Sequence, residues 1–214
     1  MKPQQLYLIP LLILFFSAET VAQTNPLFTE DRGLQKKWVD SIYNRMTLQE
    51  KVGQLFMVDV FSNKTQAETD KIKKLILEEK IGGIIFSKGG PQRQAKLNNE
   101  FQELAEVPLL VGMDAEWGLA MRLDSTFALP WNMTLGAVND LELIEEAGAA
   151  ISRNSRRLGV HINFAPVIDI NTNPENPIIG SRAFGEDKFN VTEKALAFMK
   201  GMHSEGILSS AKHF

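Results

Sequence analysis

Polar side chains stand at the ends of four apolar runs in this sequence. Asp59, Asp114 and Asp169 each follow such a run, and the pair Lys212 and His213 closes a fourth. If the runs are parallel strands of one barrel, all of these groups face the same mouth, where barrel enzymes place their active sites. Carboxylates accept hydroxyl protons and an ammonium group donates, so the pattern is typical of a site for a hydroxyl-rich ligand. Nothing near Asp59 suggests a ligand, and we expect it to have a structural role.

Two arginines extend this set of candidate residues. Arg122 ends a segment that opens at Asp114, and Arg182 follows Gly180 at the end of a long loop rich in Asn and Pro. An arginine fork can hold a pair of hydroxyls or a carboxylate, although an internal salt bridge or a bare surface arginine would also fit. Trp117, in the first segment, is either a stacking platform for a sugar ring or a packed core residue.

The remaining basic groups are open to several interpretations. Lys212 is either an imine-forming nucleophile or a hydrogen-bond donor. We expect structural roles for His161, in the middle of an apolar run, and for His203, near a helix end where its charge suits the helix dipole. No His, Cys or carboxylate cluster has metal-ligand spacing, so neither a metal nor a cofactor is predicted.

Apolar runs alternate with amphipathic segments along the chain. The predicted strands are Leu55–Val60, Lys80–Phe86 with a turn at its start, Val107–Met113, Val160–Ala165 and Ile207–His213. The predicted helices with defined ranges are Trp38–Met46, Ala67–Glu79, Pro91–Glu106 and Phe189–Ser204. Two further helices are predicted to begin at caps, one at a capping box of Thr47 and Glu50 and one at Asn139 or Asp140. The spacing predicts that Ile76, Leu196 and Met199 point inward.

This alternation predicts parallel βαβ units and an α/β fold. A glycine-rich phosphate loop is absent from every strand end, which lowers the nucleotide-binding alternatives. We therefore favour a (β/α)8 TIM-type barrel over an open doubly wound sheet, with only about the first five β/α units present. The barrel would be a single incomplete domain over residues 23–214.

Composition and charge limit the possible classes of partner, and the first residues predict the localisation. The chain has 214 residues, a net charge of −3 and no cysteine, which leaves no basic field for nucleic acid and no disulfide. Residues 1–22 have a lysine near the start, an 11-residue apolar run at Leu6–Phe16 and a small-polar exit. That run is too short to span a membrane and predicts a signal peptide, hence a periplasmic or secreted protein without a membrane segment after cleavage.

Several motifs, in order, resemble the N-terminal barrel of family 3 glycoside hydrolases. The matching segments are Met46–Gln54, Gly112–Gly118 with Arg122, Phe164–Asp169, Asn173–Pro177, Gly180–Asp187 and Ala211–Phe214. In detail they are most similar to the β-N-acetylhexosaminidase branch. Small departures are Ala183, Lys188 and Trp117, where the family more often has serine, proline and glycine; the last puts the exact substrate, not the fold, in doubt.

The resemblance implies roles for the candidate residues. Asp114, Arg122, Arg182, Lys212 and His213 would hold the hydroxyls of the terminal sugar, and Asp169 would brace the loop. The implied reaction is retaining hydrolysis that removes terminal β-N-acetylglucosamine from cell-wall or chitin-type oligosaccharides. The nucleophile and the acid/base group would both follow Phe214, so no catalytic residue is expected in these 214 residues. Because five strands cannot close a barrel and leave two unpaired edges, we expect the isolated chain to be unstable or aggregated, and inactive.

Three alternatives stay open beside this interpretation. A β-glucosidase of the same family differs only in the sugar that it accepts. An imine-forming barrel lyase or aldolase would use Lys212 as its amine. A non-catalytic carbohydrate-binding barrel would keep the binding groups and lack the nucleophile. The oligomeric state is not predicted.

Overall fold

The computed structural model describes residues 31–213, so the predicted signal peptide lies outside the described residues. Within that range the structure has seven α-helices and five β-strands. The helices are α1 Arg32–Tyr43, α2 Leu48–Gly53, α3 Gln66–Glu78, α4 Pro91–Leu104, α5 Asn132–Gly136, α6 Leu141–Arg157 and α7 Lys188–Ser204. The strands are β1 Met57–Phe61, β2 Gly83–Lys88, β3 Leu110–Met113, β4 Ile162–Asn163 and β5 Leu208–Ser209.

All five strands run parallel in one sheet, in the order β1-β2-β3-β4-β5. A doubly wound sheet reverses its strand order at a switch point, whereas a barrel adds each new strand beside the preceding one. The sequential order therefore confirms the prediction of barrel-type α/β winding. β1 pairs only with β2 and β5 only with β4 among the described residues, so the barrel is not closed.

Capping side chains begin four of the described helices, the first of them α1, where Asp31 accepts from the N–H of Leu34. Thr47 and Glu50 form the predicted capping box at α2, in which each side chain accepts a hydrogen bond from the other residue's backbone N–H. Asp140 caps α6 by accepting from the N–H of Glu142, and Asp187 caps α7 in the same way from Asn190. Because a cap satisfies amides that the first turn leaves free, these residues fix where the crossover helices begin.

The two longest helices, α6 and α7, pack closely against each other. Gly148 and Gly201 lie at the contact, and a Cβ on either would overlap backbone atoms of the facing helix. Ile144 and Ile151 of α6 and Phe198 of α7 are buried in the core that this contact extends. Close approach of the two backbones therefore depends on glycine at both positions.

The structure corrects some details of the predicted elements. Leu196 does not point inward: its side chain is 63% exposed, while Val191, Phe198 and Met202 form the buried face of α7. Met199 is half-buried. The fourth and fifth strands are shorter than predicted, since each keeps only two residues in the ladder. The short helix α5 was not predicted.

Candidate functional site

The loops after β3, β4 and β5 carry six charged residues and a histidine to the carboxyl ends of the strands. Asp114 and Glu116 directly follow β3, and Arg122 ends the 3₁₀ turn Leu119–Met121. Asp169 follows β4, and Arg182 ends the 3₁₀ turn 180–182. Beyond β5, Lys212 pairs with Val167 in a single parallel bridge and precedes His213. The mouth cluster consists of Asp114, Glu116, Arg122, Asp169, Arg182, Lys212 and His213.

Asp114 links the loop after β3 to the loop after β5. Its Oδ1 accepts a hydrogen bond of 2.7 Å from Nζ of Lys212, and its Oδ2 accepts one of 2.7 Å from a terminal nitrogen of Arg122. The Asp114 side chain is 23% exposed, so part of the carboxylate still faces the mouth. The carboxylate can therefore accept a further hydrogen bond from a ligand hydroxyl.

Glu116 lies beneath the cluster and joins two of its cations. Its two carboxylate oxygens accept from Nε and Nη2 of Arg182 at 2.9 and 2.8 Å. Lys212 Nζ lies 2.8 Å from the oxygen that also accepts from Arg182 Nη2. The Glu116 side chain is only 1% exposed. A two-pronged arginine–carboxylate pair of this kind fixes the plane of the guanidinium group.

Asp169 and Arg182 hold the imidazole of His213 from opposite sides. Asp169 Oδ2 lies 2.7 Å from Nδ1 of His213 and accepts a 3.0 Å hydrogen bond from its backbone N–H. Nη2 of Arg182 lies 3.2 Å from Nε2 of the same ring. Since an arginine can only donate, Nε2 accepts and the ring proton lies on Nδ1, which donates to Asp169.

The surroundings of the three carboxylates set the directions of their pKa shifts. Burial raises the pKa of Asp114, but hydrogen bonds and charge from Lys212 and Arg122 outweigh it, and the pKa is lower than usual. Burial also raises the pKa of Glu116, but hydrogen bonds and charge from Arg182 and Lys212 outweigh it, so this pKa too is lower than usual. The pKa of Asp169 is also lowered against burial, by its hydrogen bonds with His213. All three groups are therefore anionic at neutral pH.

The backbone beneath the cluster is pinned by a buried amide. Asn163 of β4 accepts from the N–H of Ala115 at 2.9 Å and donates to the carbonyl oxygen of the same residue at 3.2 Å. Asn132 of α5 donates to the carbonyl oxygen of Arg182 at 2.8 Å. The chain on which Asp114, Glu116 and Arg182 stand is therefore fixed by side chains of neighbouring elements.

The five residues predicted as sugar-binding, namely Asp114, Arg122, Arg182, Lys212 and His213, lie together in the mouth cluster; their role toward a ligand stays a prediction. Asp59 is exposed, accepts a hydrogen bond from Ser87 and does not join the cluster. Trp117 stacks on Trp131 with ring centroids 4.5 Å apart, so one face of its ring is covered.

Glu116 is the site residue that the sequence analysis missed. It lies two positions after Asp114, and in an extended chain residues at this spacing point to the same side. A glutamate between Ala115 and Trp117 also interrupts an otherwise apolar segment. Both signals are present in the sequence and could have identified it.

A search of residues 31–213 finds no group of three or more His, Cys, Asp or Glu side chains placed to hold a metal ion. None of the helices in this range is long and apolar enough to cross a membrane.

The family described as Glycosyl hydrolase family 3 N terminal domain matches residues 47–214, which is most of the chain. The chain belongs to glycosyl hydrolase family 3. The family match contains every residue of the mouth cluster.

The chain is also similar to curated β-hexosaminidases and β-N-acetylglucosaminidases and to a solved family 3 structure. The chain is 29% identical over 189 residues to a β-N-acetylglucosaminidase/β-glucosidase of Cellulomonas fimi, covering 88% of this chain and 32% of the relative. It is 33% identical over 157 residues to β-hexosaminidase A of Pseudoalteromonas piscicida, covering 67% of this chain and 26% of the relative. A solved family 3 β-N-acetylglucosaminidase from Paenibacillus sp. str. FPU-7 is 38% identical with a TM-score of 0.71, over 79% of this chain and 33% of that chain.

The chain therefore spans about a third or less of the length of these relatives.

Proposed function

We propose that this chain forms the part of a β-N-acetylhexosaminidase that binds the terminal, non-reducing sugar of its substrate. The observation that carries the proposal is the convergence of Asp114, Arg182 and Lys212, from three different loops, on one charged cluster at the carboxyl ends of the strands. Membership of a hydrolase family whose curated relatives include β-hexosaminidases supports the same activity.

The cluster retains hydrogen-bonding capacity for a sugar ring. An ammonium group has three donors, and Lys212 directs two of them at Asp114 and Glu116, so one is free for a hydroxyl. Asp114 can accept from a hydroxyl, and His213, whose two ring nitrogens face Asp169 and Arg182, has a 42% exposed side chain against which a sugar ring can pack. Adjacent hydroxyls of a pyranose need this mixture of donors and acceptors.

In this proposal the chain binds and orients the sugar, and the covalent chemistry belongs to groups that follow Phe214. Hydrolysis with retention requires a carboxylate nucleophile and a second group that acts first as acid and then as base. The mouth cluster would supply the positioning that makes attack by the nucleophile effectively unimolecular. The substrates we propose are β-linked N-acetylglucosamine residues at the ends of cell-wall or chitin-type oligosaccharides.

The test compares two chromogenic substrates, the N-acetyl-β-glucosaminide and the β-glucoside, with protein expressed from its complete coding sequence. We expect faster hydrolysis of the N-acetylglucosaminide and release of the β-anomer. Equal or faster hydrolysis of the glucoside would favour the β-glucosidase alternative, to which the dual name of the Cellulomonas fimi relative lends support. Hydrolysis of neither substrate would overturn the proposal.

Two further alternatives make different predictions. An imine-forming enzyme needs an uncharged amine, whereas Lys212 lies against two carboxylates that favour its ammonium form. Trapping of a carbonyl substrate on Lys212 by borohydride would nevertheless support it. A non-catalytic sugar-binding protein would lack an aspartate nucleophile in the sequence that follows Phe214 and would bind N-acetylglucosamine without cleaving its glycosides.

Export is a separate part of the proposal. The first 22 residues have the charge and apolar pattern of a signal peptide. Cell fractionation followed by N-terminal sequencing would test it: we expect a periplasmic or secreted protein that begins at or within one residue of Gln23, and a cytoplasmic protein that retains Met1 would contradict it.

A further inference from the structure

The buried Glu116 occupies a different place in the mouth cluster from the carboxylates around it. Asp114 is partly exposed, but the Glu116 side chain is almost completely enclosed. It therefore cannot reach a bound sugar. Its position follows from the loop after β3, where Asn163 holds the backbone of the preceding residue through two hydrogen bonds.

Both carboxylate oxygens of Glu116 are already used by cations from other loops. Arg182 takes both oxygens, and Lys212 shares one of them. Two cationic nitrogens that lie within 2.8 Å of one oxygen would repel each other strongly if that oxygen lost its charge. The neutral amide of a glutamine could not replace it, because its N–H₂ group would face another donor.

Arg182 in turn transmits this placement to His213. Its Nη2 contacts the ring of His213, and its Nη1 donates to the carbonyl oxygen of Ile178 at 3.1 Å. A guanidinium group is planar and rigid, so holding Nε and Nη2 on Glu116 also fixes the direction in which Nη2 faces His213. Three of the predicted sugar contacts, Arg182, Lys212 and His213, therefore depend directly or through one neighbour on a residue that no ligand touches.

We propose that Glu116 is a positioning residue, which sets the geometry of Arg182 and Lys212 for sugar binding through its own buried charge. The inference rests on the proposed function, because the effect is measured on the binding and hydrolysis of a glycoside. It adds to that function an anionic group beneath the site that determines affinity without contacting the substrate.

The test measures KM, kcat and thermal stability of Glu116→Gln in protein from the complete coding sequence. We expect KM for the chromogenic N-acetylglucosaminide to rise at least 10-fold. A purely structural role would lower only the fraction of active protein, and KM would not change. The matched control is Glu205→Gln, because Glu205 also bridges two cations, Arg153 and Arg156, but on the outside of the fold. Its KM should equal that of the wild type.

Coupling through Arg182 is tested by the double variant Glu116→Gln with Arg182→Lys. If Glu116 acts through this arginine, the double variant has a KM no higher than that of the worse single variant. If the fold-increases in KM of the two single variants multiply in the double variant, the two residues act independently and the coupling is overturned. Should Glu116→Gln not fold, Glu116→Asp replaces it: it keeps the charge but is one methylene shorter, so a raised KM supports the inference and an unchanged KM overturns it.

The outcomes separate the two proposals. A wild-type protein that cleaves neither glycoside overturns the proposed function, and the positioning role falls with it. An active wild type whose Glu116→Gln variant folds and keeps its KM overturns the positioning role alone.

Discussion

Two clusters in this molecule use the same kinds of residue, but only one of them contains an almost completely enclosed carboxylate. In the mouth cluster, Glu116 is enclosed and joins cations from two distant loops. On the outer side of α6 and α7, Arg153 contacts Glu146 and Glu205, and Arg156 lies near Glu205, but the Glu146 side chain is 64% exposed. We call these four residues the surface cluster.

The difference between the clusters shows why a count of ion pairs says little about function. Water already solvates much of the surface cluster, in which the Glu146 and Arg156 side chains are each 64% exposed, so pairing these charges changes the free energy of unfolding little. In the mouth cluster Asp114 and Glu116 have replaced most of their hydration by two cations each, so removing one cation leaves a largely enclosed carboxylate only partly compensated.

Replacing Lys212 by methionine should have the largest effect. Lys212→Met leaves Asp114 and Glu116 without their shared cation, and we expect a loss of about 3 kcal/mol in the free energy of unfolding and loss of hydrolysis. Urea denaturation and kinetics of protein from the complete coding sequence would measure both. Lys200→Met is the matched control, because Lys200 pairs with Glu145 between α6 and α7. A Lys212→Met variant as stable as this control would contradict the distinction between enclosed and exposed ion pairs.

Arg182→Lys should have the next largest effect. A lysine keeps the positive charge but cannot make two parallel hydrogen bonds to Glu116. Loss of one charge-assisted hydrogen bond corresponds to roughly a 10- to 100-fold rise in KM for the N-acetylglucosaminide. Steady-state kinetics would show it, with Arg153→Lys in the surface cluster as control. Equal KM values for the two lysine variants would mean that the bidentate geometry does not matter.

The pH dependence of the free energy of unfolding should reveal the stabilising charge of Glu116 in the mouth cluster. The pKa of Glu116 is lower in the folded protein than its ordinary value of 4.5, so the charged form stabilises the fold. This contribution is complete above the ordinary value and is lost as the pH falls below about 4.5 toward the lowered pKa.

Urea denaturation of the wild type and Glu116→Gln between pH 7 and pH 3 would measure this contribution. We expect the wild type to be more stable than the variant at pH 7. The difference in their free energies of unfolding should narrow below about pH 4.5, because protonated Glu116 resembles glutamine. A gap that stays constant across this range would show that Glu116 stabilises by packing and not by charge.

The smallest effect is expected in the surface cluster. Glu146→Gln should change the free energy of unfolding by less than about 1 kcal/mol and leave KM unchanged. Raising the salt concentration should reduce even this effect, since exposed charges are screened. Thermal denaturation at low and high salt would check it. A change as large as that of Lys212→Met would remove the contrast between exposed and enclosed pairs.

Local patterns in the sequence were sufficient to predict the order of elements and most of the mouth cluster. Thr47 and Glu50 form the predicted capping box, and Ile76 is buried as its helical spacing indicated. Asp114 and Lys212 were predicted to meet because parallel strands bring their carboxyl ends to one edge, although 98 residues separate them.

The failures occurred where tertiary packing selects among equivalent local patterns. Helix α7 has apolar residues on more than one side, and the close contact at Gly201 with α6 turns Phe198 inward and leaves Leu196 exposed. The spacing of Glu116 from Asp114 was enough to mark it as a candidate, but its pairing with two cations far along the chain could not be predicted from a local pattern. Neither a helical period nor a strand end reveals such a partner.

The sequential strand order determines when the mouth cluster can assemble during synthesis. Glu116 leaves the ribosome 66 residues before Arg182, and Asp114 leaves 98 residues before Lys212. At about 5–20 residues per second, Asp114 can pair with Arg122 at once but waits on the order of 5–20 s before its lysine exists. Enclosure of these carboxylates is therefore a late dehydration step, which cannot precede the translation of the fifth strand.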